Sequence, residues 1–127
     1  MENHKKILII DDEEDVLAYL SAFFVDNDFY VISAPNGKEG IKKALSEKPD
    51  IITLDISMPE ESGVKALREL QNNENTKNTP IIIITGVTSD FKRFIKARKQ
   101  VHMPDGYFEK PIDRKLLLKK VNELLNS

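Results

Sequence analysis

Four short apolar runs, KILII (6–10), YVISA (30–34), DIITLDI (50–56) and PIIIIT (80–85), are separated by amphipathic stretches of helical length. Nothing else in the chain restricts the fold as much. A β-branched run without polar alternation belongs to a strand covered on both faces, and strands spaced by helices are joined by crossovers into a parallel sheet. The pattern therefore predicts an α/β, doubly wound parallel sheet, with GYFE (106–109) as a weaker fifth strand. Between the strands, Val16, Leu17, Leu20, Phe23 and Phe24 recur at helical spacing. So do Ile41, Ala44 and Leu45, then Val64, Leu67 and Leu70, giving each helix a stripe to bury. Phe91, Phe94 and Ile95 mark a fourth helix, and RKLLLKKVNELL, preceded by Asp113 as its cap, a fifth. Asn36 with Glu39 reads as a capping box, and the polar stretch 72–80 as a loop.

A length of 127 residues, 40% of them apolar, suits a single domain over 1–127. A domain of this size buries roughly two thirds of its unfolded surface and needs no disulfide or structural metal, in keeping with the absence of cysteine. There is neither an apolar stretch of spanning length nor a leader pattern, so the expectation is a cytoplasmic protein without a membrane partner. A net charge of −2 gives no whole-molecule reason to expect nucleic acid.

In open parallel sheets, ligands bind beyond the carboxyl ends of the strands. Strand one ends on Asp11 and Asp12, strand three on Asp55, strand four on Thr85 and Gly86, and strand five runs into Lys110 and Pro111. In a sheet ordered 2-1-3-4-5, strands one and three are neighbours about 4.8 Å apart, so Asp11, Asp12 and Asp55 converge, with Thr85 and Lys110 at their flank. Three carboxylates so close need a cation. An all-oxygen donor set without cysteine or histidine points to a hard ion, Mg²⁺ rather than zinc. A carboxylate in such a setting can act as a nucleophile towards phosphorus, with a lysine, a hydroxyl and the ion neutralising the transferring oxygens.

The segments ILIIDDEEDV, LDISMPEESG, IIIITG and GYFEKPI, in this order at strand ends, resemble the receiver domain of two-component response regulators, along nearly the whole chain. The resemblance implies a flavodoxin-like three-layer sandwich of five strands, order 2-1-3-4-5, and five helices. It implies Asp55 as phosphoacceptor, Asp12 as a direct Mg²⁺ ligand, Asp11 as an outer acidic partner and the Ser57 backbone carbonyl as a further ligand. Lys110 would contact the phosphoryl group, Thr85 would move towards it, and Tyr107 would be the aromatic of the switch. The Lys110-Pro111 bond is expected to be cis. A sensor histidine kinase or phosphotransfer protein would donate the phosphoryl group. An unidentified protein would read the face of the fourth helix, fifth strand and fifth helix, and a phosphorylation-dependent dimer fits the same pattern.

Other readings compete at several positions. A pseudo-receiver would keep the fold without phosphate turnover, although the set Asp12, Asp55, Thr85 and Lys110 is complete. An aspartyl-nucleophile phosphatase would want an acid where Ser57 stands, together with a cap domain. A flavin-binding domain would want a Ser/Thr/Gly-rich loop where strand one ends in acids. Beyond its own phosphorylation and dephosphorylation the chain is expected to catalyse nothing, and, unless it is a fragment of a longer protein, no direct transcriptional output is expected, because no DNA-binding segment follows in the sequence. Glu13, Glu14 and Asp15 read as acids favoured by a helix N-terminus, Phe108 as core, and His4 and His102 as surface residues without function. The cations of FKRFIKARKQ (91–100), extended by Lys119 and Lys120, suit a solvated face or an acidic partner. The segment RKQVHMPDGY departs from the family's run before its fifth strand, and Pro104 should end or redirect the fourth helix. Ser57 and Val87 offer no carboxylate or amide to orient a water, which predicts slow autodephosphorylation.

Overall fold

The computed structural model describes residues 4–59, 62–86 and 103–126. Five parallel strands, β1 (Lys6–Ile10), β2 (Tyr30–Ala34), β3 (Ile51–Asp55), β4 (Ile81–Thr85) and β5 (Gly106–Glu109), lie in the order β2-β1-β3-β4-β5. Four helices are described: α1 (Glu14–Asp26), α2 (Gly37–Glu47), α3 (Ser62–Asn72) and α4 (Arg114–Leu125). The expected order and winding are those observed. The expected helix around Phe91, Phe94 and Ile95, and with it Val87, Lys96, Arg98 and His102, lies outside the described residues.

Strand periodicity sorts the core into two layers. Leu8, Ile10, Ile52, Leu54, Ile81 and Ile83 face α2 and α3, where they meet Ala44, Val64, Ala66, Leu67 and Leu70. Ile7, Ile9, Ile51, Ile82 and Ile84 face α1 and α4, against Val16, Leu20, Phe24, Leu117 and Val121. Every residue of β3 and β4 is buried. Burying each such aliphatic side chain is worth roughly 1.5–3 kcal/mol, and this leaves the fold able to bear charged groups at its strand ends. Arg114 at the start of α4 lies over the ring of Phe23, 5.4 Å from its centroid, and so joins the two helices of that layer.

The helix ends follow the sequence. Asn36 Oδ1 accepts from Glu39 N, and Asp113 Oδ1 accepts from the N–H groups of Lys115 and Leu116. Some local expectations change. Leu45 is exposed, because α2 buries Gly37, Gly40 and Ala44 instead and needs no bulk where it crosses the sheet. Leu17, Phe23 and Phe108 are half-buried at the margin of the α1/α4 layer. The loop after α3 is not wholly solvated, since Thr76 is buried and its hydroxyl donates to the carbonyl of Leu70 at 2.7 Å.

Gly63 sits within the first turn of α3. A Cβ there would overlap the carbonyl oxygen of Asp55 and come within 2.6 Å of Ile56 Cα, so only glycine lets α3 press on the backbone at the end of β3. Gly63→Ala should cost about 1–3 kcal/mol, read as a lower melting temperature. An unchanged melting temperature would mean that α3 is free to shift away from β3.

Candidate functional site

Each group at the site stands where a strand stops. Strands β1 and β3 are paired in parallel, Ile10 opposite Leu54, so Asp11 and Asp55 leave adjacent strands at the same level. Continuing the alternation of Ile7 and Ile9, and of Ile51 and Thr53, both acids extend from the α1/α4 side of the sheet. Both are 1% exposed. Lys110 follows β5, and its backbone N–H donates to the carbonyl of Thr85 at 2.8 Å, fixing it to the end of β4. The Lys110-Pro111 bond is cis, as expected.

The Lys110 ammonium gathers three carboxylates. Its Nζ lies 3.1 Å from Asp55 Oδ2, 3.3 and 3.0 Å from Asp11 Oδ1 and Oδ2, and 2.6 Å from Glu13 Oε1. Asp11 Oδ1 also accepts from the Glu13 backbone N–H at 2.9 Å. Asp55 Oδ1 accepts from both the backbone N–H, at 2.8 Å, and the hydroxyl of Ser57. The phosphoacceptor candidate thus has one oxygen held by Ser57 and the other by Lys110.

Burial drives the Asp11 carboxyl up to about 6, reinforced by the charge on Asp55 and opposed by the Glu13 N–H and Lys110. At Lys110 burial disfavours the ammonium, yet its hydrogen bonds to Glu13 and Asp11 and the charge of Asp55 outweigh that and hold its pKa above the ordinary lysine value. The lysine is a fixed positive charge.

The donor set fits a hard divalent cation. Asp11, Asp12 and Asp55 each offer a carboxylate oxygen within 4.8 Å of the others'. Asp12 is exposed while the other two are buried. Asp11 Oδ2 is buried and, although 3.0 Å from Lys110 Nζ, it is not aligned for a hydrogen bond. One ammonium does not balance the three acids. An oxygen-only cluster with a buried, unsatisfied carboxylate oxygen suits a hard divalent cation such as Mg²⁺.

The remaining expected residues lie on β4 and β5. Thr85 is fully buried at the end of β4. Tyr107 is half-buried on β5, where it packs against the α2/α3 layer, and its hydroxyl donates to Glu109 Oε1 at 3.4 Å. By strand alternation Thr85 shares that side with Ile81 and Ile83. His4 is exposed, as expected. Glu13 is the residue that sequence reasoning passed over. Assigned there to the helix dipole, it is the N-cap of α1 with no capping side-chain bond, and its carboxylate is turned to Lys110. Its position two residues after a site acid was the available signal, but the partner lies 97 residues away.

The profile of the response regulator receiver domain matches residues 7–122, and the chain belongs to that family. Among its relatives, protein PilH of Pseudomonas aeruginosa is 33% identical over 120 residues, 94% of this chain and 97% of PilH. The chain spans only between 17% and 52% of several other curated relatives it matches. A CheY-like response regulator receiver domain protein from Methanospirillum hungatei superposes with a TM-score of 0.85 at 25% identity, over 98% of this chain and 95% of that one. The receiver domain of sensor histidine kinase PA1611 from Pseudomonas aeruginosa gives 0.86 at 23% identity, over 98% and 99%. That structure is described with a magnesium ion coordinated in its active site cleft; at this identity it bears on the fold alone.

Cation binding at the acids should be linked to protons. Asp11 takes up a proton as the pH falls through about 6 and loses the charge that attracts the ion. Mg²⁺ affinity, measured by titration calorimetry, should therefore weaken between pH 7.5 and pH 5. A constant affinity across that range would show that Asp11 contributes no charge to the site.

Proposed function

We propose that this chain is a phosphoacceptor receiver that takes a phosphoryl group onto Asp55 and thereby changes which protein it binds. Receiver domains take phosphoryl groups from histidine kinases, and this chain belongs to that family. The observation that carries the reading is the Lys110 ammonium shared by Asp11 and Asp55, two buried acids on adjacent strands. A merely structural ion pair needs one acid. A site that receives a phosphoryl group needs a nucleophilic carboxylate, a fixed cation for the phosphoryl oxygens, further acids to hold a divalent cation, and an exposed mouth.

In this reading Asp55 Oδ1 attacks phosphorus, since the Ser57 hydroxyl that holds it can rotate away whereas Lys110 stays on Oδ2. A bond from Oδ1 to phosphorus forms as the bond to the donor's leaving group breaks. The leaving group is an imidazole from a phosphohistidine or acetate from acetyl phosphate, and it carries the bonding pair away. Lys110 neutralises charge on the transferring oxygens. Mg²⁺, held by Asp12 and Asp55 with Asp11 beside them and the Ser57 carbonyl as a further ligand, would supply additional charge neutralisation for those oxygens. Thr85, fully buried at the end of β4, and Tyr107 on the same side of the sheet are the switch pair. The equilibrium they report shifts with phosphorylation and selects a partner. The chain acts on no external substrate.

Incubation with acetyl phosphate and Mg²⁺ should add one phosphoryl mass to the wild type and none to Asp55→Asn, and none without Mg²⁺. A folded wild type that binds Mg²⁺ yet takes up neither phosphoryl nor beryllofluoride would make it a pseudo-receiver instead. The hydrolysis of the acyl phosphate should be slow. Ser57 offers neither carboxylate nor amide to aim a water, so Ser57→Asn should shorten the phosphoryl lifetime severalfold while Ser57→Ala leaves it no shorter. A shorter lifetime for the alanine variant would refute the slow-hydrolysis reading.

A further inference from the structure

We propose that Glu13 is a positioning residue that occupies the Lys110 ammonium in the resting protein and competes for it with the incoming phosphoryl oxygen. The inference rests on Asp55 being the acceptor. An ammonium has three N–H donors, and here Glu13, Asp11 and Asp55 use them all. A phosphoryl oxygen can bind Lys110 only where one of these carboxylates lets go.

The structure singles out the one that does. Asp11 and Asp55 are buried and held by further bonds, from the Glu13 N–H and from Ser57 respectively. Glu13 makes the shortest of the three bonds, at 2.6 Å, yet its side chain is 58% exposed and makes no other hydrogen bond among the described residues. On release it is rehydrated at once, whereas either aspartate would be left buried and charged. Glu13 and Lys110 also line the same open cleft of about 450 Å³, together with Val16, Tyr19, Gly86 and Pro111. An anion approaching Lys110 from this cleft therefore meets Glu13 beside it. Glu13 holds the place that a phosphoryl oxygen takes.

Such a competitor raises the donor concentration needed for half-saturation and leaves the limiting rate alone, because once the donor is bound Glu13 has already left. It acts by contact, so reach matters as well as charge. Glu13→Gln keeps the length and removes the charge, while Glu13→Asp keeps the charge and withdraws it from Lys110. The Glu13 side chain caps nothing, so both variants should fold, which circular dichroism checks.

The experiment measures two quantities on the wild type and both variants. One is the rate at which trace acetic anhydride acetylates Lys110, read by peptide mass against the distant Lys77. The other is the initial rate of phosphorylation over a range of acetyl phosphate concentrations with Mg²⁺. Both variants should show a severalfold rise in Lys110 acetylation and a fall of about fivefold in half-saturating acetyl phosphate at an unchanged limiting rate, the size that an exposed ion pair supplies. If the wild type is phosphorylated and neither quantity changes in either variant, the role of Glu13 is overturned and the acceptor reading stands. If Glu13→Asp behaves as wild type while Glu13→Gln does not, charge at the mouth is the cause and the competition is overturned. If acetylation rises but none of the three proteins takes up phosphoryl, the acceptor reading of Asp55 fails and the competition fails with it.

Discussion

The site depends on one ammonium placed among carboxylates that arrive from far apart in the chain. Lys110 is 55 residues from Asp55, 97 from Glu13 and 99 from Asp11, and it touches all three. Two of those acids are almost fully buried, which by itself opposes their ionised forms, and the lysine offsets that cost without cancelling it. What remains is a buried carboxyl pushed up to about 6 at Asp11 and an excess of negative charge at the sheet's edge. An imbalance of this kind is more than a structural ion pair needs and suits a site that receives a cation.

The sheet makes that imbalance tolerable. Adjacent parallel strands deliver Asp11 and Asp55 to one level, and the layers of isoleucine and leucine beneath them do not yield. α3 leans on the last peptide of β3 at Gly63, so the backbone of Asp55 is gripped from behind while its carboxylate is held by Ser57 and Lys110. Rigidity of the support is what allows a reactive group to be aimed.

The strands, their order, the paired acids, Asp55 and Lys110 were legible in the sequence because each follows from a periodicity or from the residue that closes an apolar run. The Asn36 and Asp113 caps were legible for the same local reason. What was not legible depends on a distant neighbour. Glu13 looks like an ordinary helix-start acid until Lys110 is folded against it. Leu45 fits the helical stripe, but glycines at 37 and 40 bring α2 close enough that the stripe narrows and leaves it outside. Gly63, which in sequence looks no different from a turn glycine, is a requirement of helix-to-strand proximity within α3, and nothing local distinguishes the two. Thr76, in a stretch polar enough to read as solvated loop, is drawn inwards by a carbonyl of α3.

The sheet is also a partition. Asp11, Asp55 and the ammonium that joins them lie on its α1/α4 side, whereas Thr85 and Tyr107 lie on the α2/α3 side. The peptide hydrogen bond from Lys110 to Thr85 is a direct backbone link between the two. In the proposed reading, a Lys110 drawn towards a phosphoryl oxygen would pull on that link and so on the strand end that carries Thr85. Under that proposal, chemistry performed on one side of the wall would be announced on the other through the backbone alone.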